Sequence, residues 1–148
     1  MNGIMSRWPV LQNHRVTPED LDDDGAIRDE VVESWIATAC SGYLDRCVVL
    51  REFLERSGLQ LRRNTELPSR RLLGWPTSVI TTAGVTEIHP KAFMIAVRLR
   101  PVGGDRETPL NQTCGVRLED PGTGDVPLLT DDIRDELIAL AHAAEHFN

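Results

Sequence analysis

Apolar residues recur at steps of three and four through one long stretch: Val31, Val32, Trp35, Ile36, Ala39, Cys40, Tyr43, Leu44, Cys47, Val48, Leu50, Phe53 and Leu54. That spacing lines up one face of an α-helix and predicts helix over residues 29–57. Glu33, Asp45, Arg46, Arg51, Glu52, Glu55 and Arg56 fill the other side. The apolar stripe is wide, as for a helix pressed onto a sheet. Gly42 sits in the middle, where glycine costs about 1 kcal/mol relative to alanine. It marks either a break into two helices or a close approach to the sheet. Gly58 is a C-terminal stop.

The other segments read as β. A first strand is predicted over residues 10–17, with Val10 and Val16 as β-formers and Pro9 at its edge. Leu59 to Leu73, with Arg62, Arg63, Arg70 and Arg71 around Pro68, shows no clear period. Thr77–Ile88, Ala92–Val102 and Thr108–Glu119 form three more, joined by turns at His89-Pro90-Lys91 and Gly103-Gly104-Asp105. Asp120 to Gly124 ends the sheet. Thr130-Asp131-Asp132 then caps a last helix, Ile133 to Phe147, with Ile133, Leu137, Ile138, Leu140, Ala141 and Ala144 on its apolar face. A long helix followed by antiparallel strands points to the α+β class.

Composition narrows the function. A chain of 148 residues, 41% hydrophobic and 26% charged, suits one domain with a proper core. A net charge of −7 argues against nucleic acid and anionic membrane as partners, because both select a basic surface. No apolar run approaches the roughly 20 residues of a membrane span, and Met1 to Asn13 lacks an apolar signal-peptide core. The expected location is the cytoplasm. Cys40, Cys47 and Cys114 are odd in number and lack metal-like spacing, so neither a disulfide framework nor a cysteine metal site is expected. Cys40 and Cys47 share the buried face of the helix as small hydrophobes. His142-Ala143-Ala144-Glu145-His146 matches an inverted zinc-protease motif, but the third ligand such a site needs is missing after it. It reads as a helix end, and no metal or cofactor is expected. His14 and His89 are isolated and read as structural.

The candidate chemistry lies in one acidic turn, Asp20-Leu21-Asp22-Asp23-Asp24-Gly25-Ala26-Ile27-Arg28. Asp20, Asp22, Asp24 and Gly25 fit the opening of a calcium loop, and Ile27 its apolar eighth position. The twelfth position is Val31, which has no oxygen to give, and Pro18 sits where an entering helix belongs. The plain alternative is a helix start, where acidic residues cap free N–H groups and complement the helix dipole. A third reading comes from pattern: an extended segment, then Asp22-x-x-Gly25-x-Ile27, then a long helix carrying Trp35.

That pattern resembles the hotdog-fold thioesterases of the 4-hydroxybenzoyl-CoA and acyl-CoA type. The resemblance covers roughly residues 8–130 in order and length, with the helix at 131–147 as an addition. It implies a curved antiparallel sheet wrapped around the long helix, with a short strand between Leu59 and Leu73, an acyl tunnel between sheet and helix, and a homodimer or higher oligomer with the site at the subunit interface. It implies hydrolysis of an acyl-CoA or acyl-ACP thioester, with acyl-CoA as substrate and no cofactor. Asp22 takes the place of the catalytic carboxylate, as nucleophile or general base. Gly25 is the turn glycine, and the backbone N–H near Asp29 the oxyanion donor. Ile27 and Trp35 would contact substrate. Arg62 and Arg63 have the shape to hold coenzyme A phosphates, the plain alternative being a solvated loop. The crowding of Asp22 by Asp20, Asp23 and Asp24 would raise its affinity for a proton unless solvent or Arg28 offsets it. Glu30 or Glu33 could then serve instead. The family's usual His and Asn pair are here Ala26 and Arg28-Asp29. Those departures keep open a catalytically inactive hotdog dimer that binds acyl-CoA or a protein partner.

Overall fold

The alternating segments pair into one antiparallel sheet. The computed structural model describes residues 10–65, 76–104 and 108–145. Its strands are β1 (Val10–Arg15), β2 (Gln60–Thr65), β3 (Ser78–Ile88), β4 (Ala92–Val102) and β5 (Leu110–Glu119). Its helices are α1 (Asp29–Asp45), α2 (Val48–Ser57) and α3 (Asp131–Glu145). In space the strands lie in the order β1-β3-β4-β5-β2. Strand β1 lies at one edge and β2, which follows α1 and α2, at the other; β3 pairs with β1, and the chain then steps through β4 to β5 beside β2.

Strand alternation decides which face meets the helix. Val97 stands between Ala83 and Gln112, and Leu99 between Thr81 and Leu110. These residues share a face with Val79, Phe93, Ile95, Cys114, Val116 and Leu118, which are buried. Val32, Trp35, Ile36, Ala39, Cys40 and Tyr43 of α1 close over that face. Each large side chain fully buried this way contributes about 1.5–3 kcal/mol. Arg98 and Arg100 of β4 point the other way and are exposed. The sheet is curled into a half-barrel around the helix, the expected α+β arrangement.

The long helix is broken, but not at Gly42, which lies within α1. The break comes at Arg46 and Cys47, where the N–H groups of both residues reach back three residues, to Tyr43 and Leu44, and Cys47 leaves helical geometry at ψ 78°. The new helix has no cap from its own first residues. Glu136 of α3 supplies one: its Oε1 accepts from the Val49 N–H at 2.9 Å and its Oε2 from the Leu50 N–H at 3.2 Å. That carboxylate replaces the local cap that a helix start ordinarily takes from its own sequence.

The last helix begins earlier than the apolar pattern alone suggests, with the Thr130 hydroxyl accepting from the Ile133 N–H at 3.2 Å. Ile133 and Leu137 are buried against the main core, whereas Ile138, expected on that face, is 51% exposed. At positions 133, 137 and 140 the helix meets the core, and 138 lies a quarter-turn outside that stripe. The strand expected between Leu59 and Leu73 is β2; Pro68, Arg70 and Arg71 lie outside the described residues, as do Asp105 and His146.

Candidate functional site

The acidic turn is built by its own carboxylates. Pro18–Asp20 forms a short 3-10 turn, closed by Asp20, whose Oδ2 accepts from the Thr17 N–H at 2.9 Å and the Thr17 hydroxyl at 3.1 Å. Asp22 closes the next turn: its Oδ1 accepts from the N–H groups of Asp24, at 2.9 Å, and Ala26, at 3.1 Å. Backbone bonds tie the two ends together. The Asp22 N–H donates to the Ala26 carbonyl at 2.8 Å, and the Arg28 N–H to the Asp20 carbonyl at 2.8 Å. Gly25 sits at φ 76°, in the left-handed region where a side chain costs about 1–2 kcal/mol. Ala26 and Ile27 are fully buried beneath the turn, and Ile27 bridges to Leu21. The sequence places α1 directly after this, with Arg28 at its N-cap position and Asp29 and Glu30 in its first turn.

The result is an open depression of about 280 Å³, lined by Asp22, Asp23, Arg28, Asp29 and Glu30. It brings together two of the expected catalytic positions, Asp22 and Asp29, with Gly25 shaping the turn and Ile27 buried beneath it. One arginine stands among four carboxylates. Arg28 Nε donates to the Leu21 carbonyl at 3.3 Å, and its Nη1 lies 3.9 Å from Glu30. The expected crowding around Asp22 is reduced on one side, because the Asp20 carboxylate turns back to Thr17. Among the described residues, no three His, Cys, Asp or Glu side chains are arranged to hold a metal ion.

The remaining expected positions lie elsewhere. Trp35 is buried between α1 and β1, its ring stacked on His14 at 4.9 Å and 18°, and does not line the depression. His14 is also within hydrogen-bond distance of the buried Thr81 hydroxyl, at 3.1 Å, and burial pulls its pKa down from 6.5. Arg62 and Arg63 point to opposite faces of β2. Arg62 pairs with Glu119 at 3.2 Å. Arg63 turns toward α1, where Nη1 donates to the Ala37 carbonyl at 3.2 Å and the Ser41 hydroxyl at 3.4 Å. The two arginines are therefore not brought together as one phosphate clamp. Asp23, which the sequence offered only as a charge crowding Asp22, also lines the depression, and only the folded turn shows that it does.

Comparison with solved structures identifies the fold. The chain is similar over 96% of its length, and 98% of the other's, to a thioesterase from Thermus thermophilus complexed with coenzyme A and Zn, with a TM-score of 0.62 at 21% identity. It is similar over 86% of its length, and 97% of the other's, to a 4-hydroxybenzoyl-CoA thioesterase complexed with 4-hydroxybenzoyl-CoA, with a TM-score of 0.63 at 13% identity. A 12:0-ACP thioesterase from Umbellularia californica matches 88% of this chain through 53% of its own, with a TM-score of 0.68 at 12% identity. No protein-family model and no curated protein sequence matches the chain. The chain has the hotdog fold, the fold of these thioesterases.

Proposed function

We propose that this protein is an acyl-CoA or acyl-ACP thioesterase, with Asp22 as nucleophile or general base. The observation that carries the reading is the placement of Asp22 at the rim of a depression that also opens onto the first turn of α1. Hydrolysis of a thioester needs a carboxylate to attack the carbonyl or activate water, and a donor for the developing oxyanion. The first turn of a helix presents N–H groups and a positive dipole end. In this reading the Asp22 carboxylate both holds the turn and performs the chemistry, with the N–H near Asp29 as oxyanion donor.

Charge further orients the substrate. A rim with four carboxylates repels phosphate, so the nucleotide end of coenzyme A would lie away from it and only the thioester would enter. Arg62 would have to exchange Glu119 for phosphate, and Arg63 its contacts with α1. The site would be completed by a second copy, as the resemblance implies. A second reading, a hotdog dimer that binds acyl-CoA without turnover, is favoured by one observation. Asp22 already has a structural task, with two backbone N–H groups on one oxygen.

The test is thiol release from a panel of short, long and aromatic acyl-CoAs and acyl-ACPs, with wild type beside Asp22→Asn. The asparagine oxygen can keep both turn bonds, so the fold is retained and the carboxylate alone is removed. A loss of about 10²–10⁴-fold in kcat is expected, the range for removing a positioned base. An unchanged rate in Asp22→Asn moves the chemistry to another carboxylate of the rim. No turnover by wild type, with a raised melting temperature on adding an acyl-CoA, leaves the binding reading.

A further inference from the structure

The outward face of the sheet carries a group of three arginines. Strand pairing sets their places: Arg15 of β1 stands opposite Ser78, and Arg100 and Arg98 of β4 stand opposite Ile80 and Thr82. Their neighbours along the strands, His14, Val97 and Leu99, turn inward, so the three arginines look away from α1. All three are exposed. So is Leu11, at 40%, which flanks Thr82 on the side opposite Arg98. Farther along the same face, Arg62 and Arg117 are both neutralised by Glu119, at 3.2 and 3.3 Å. Among the described residues, Arg15, Arg98 and Arg100 make no such pair. Like charges this close on one face repel each other. In a chain with 23 acidic residues against 16 basic ones, an arginine patch left unneutralised is a departure that no ion pair among the described residues explains.

Shape and charge decide what fits there. The sheet curls around α1, so this face is convex, whereas a nucleotide needs a concave pocket. The net charge of −7 opposes a duplex or an anionic membrane. Arg98 and Arg100 stand about 7 Å apart along β4, and β1 lies about 10 Å from β4 across β3. An acidic helix of another protein presents carboxylates one and two turns apart, about 5 and 11 Å, with apolar side chains between them to meet Leu11. Guanidinium groups grip such carboxylates in pairs of bonds. We propose that this face docks an acidic protein surface and, on the strength of the thioesterase reading, that the docked protein is the acyl carrier, so that the substrate is an acyl-ACP rather than an acyl-CoA. The position suits that role. Strand β1 runs from Arg15 through Val16 and Thr17 into the turn that Asp22 closes. Arg15 lies opposite Ser78, and Ser78 opposite Val102, so the patch reaches the end of the sheet from which the acidic turn springs. The carrier rests its acidic body on the arginines, away from the four carboxylates of the depression, and extends only the neutral end of its arm toward Asp22.

The test uses the full chain, a fluorescently labelled acyl carrier protein bearing its arm, and one acyl group presented both on that carrier and on coenzyme A. Anisotropy reads binding and thiol release reads turnover. Charge reversal by Arg98→Glu with Arg100→Glu is expected to weaken carrier binding about 10-fold or more, to raise the KM for acyl-ACP in step, and to leave acyl-CoA turnover unchanged. Arg51→Glu with Arg56→Glu, at exposed positions of α2, makes the same change in net charge and is expected to leave carrier binding intact. Wild-type binding should weaken as NaCl is raised. Equal losses in the two double variants, or a KM for acyl-CoA that rises as much as that for acyl-ACP, overturn the proposal. So does binding of duplex DNA as tight as that of the carrier. Loss of self-association instead of carrier binding assigns the face to a second copy and overturns it too. Carrier binding without turnover of either thioester sinks the thioesterase reading and keeps the docking face; turnover of acyl-CoA without carrier binding does the reverse. If the reversed variant fails to fold, Arg98→Gln with Arg100→Gln and the salt dependence of wild type decide the matter.

Discussion

Asp22 carries two duties that substitution can separate. As a turn residue it needs only a side-chain oxygen in the right place; as a chemical group it needs a carboxylate. Asp22→Asn is therefore expected to stay within about 0.5 kcal/mol of wild type in urea unfolding, while Asp22→Ala loses about 1–2 kcal/mol, as on removal of a capping oxygen. Equal losses in the two variants would show that the negative charge itself holds the turn. His14 gives a second prediction at this scale. Its pKa is lowered in the fold by burial, so the unfolded chain takes up a proton near pH 6.5 while the native protein resists it. Unfolding then binds protons, and stability falls as pH drops below that value and through the folded pKa. His14→Phe keeps an aromatic ring over Trp35 and has nothing to titrate. It should start less stable, because the Thr81 hydroxyl loses its partner, and should show a shallower decline from pH 7 to 5. Melting temperatures across that range check it.

The elements show why some of this was legible in the sequence and some was not. The helix was plain because its core face repeats over four turns, and strands β3 to β5 because their β-branched runs alternate against a single buried layer. The acidic turn was legible as a turn, since a run of aspartates closed by a glycine has few other uses before a helix. The break after Asp45 was not, because neither Gly nor Pro marks it and its cap comes from another helix. Glu136→Ala should therefore cost about 1–3 kcal/mol by leaving two N–H groups unpaired, with faster amide exchange at Val49 and Leu50. Glu136→Gln, which retains an acceptor, should cost less. Arg62 and Arg63 show a related limit: adjacent in sequence, they are separated by the pleat.

For the whole molecule the described sheet ends in two edge strands, β1 and β2. Edge strands invite pairing unless something blunts it, and β2 carries both arginines. The expectation that follows from the proposed function is a dimer, because each depression is open on one side and the reading requires a second chain to close it. Size exclusion with light scattering should give twice the 16.5 kDa chain mass. Elution as a monomer that still hydrolyses acyl-CoA would show that one chain suffices.

The cap on α2 also bears on how the protein is made. A ribosome releases this chain from its N-terminus, so α2 emerges long before Glu136, the residue that secures its first turn. Strand β2 waits in the same way, since its sheet partner is β5. The nascent protein must carry an unpaired strand until β5 has been synthesised, and an unfinished helix until α3 has followed it. Loop closures of that length slow folding, and a message cut before Asp131 would yield a product that a cell's proteases read as unfolded.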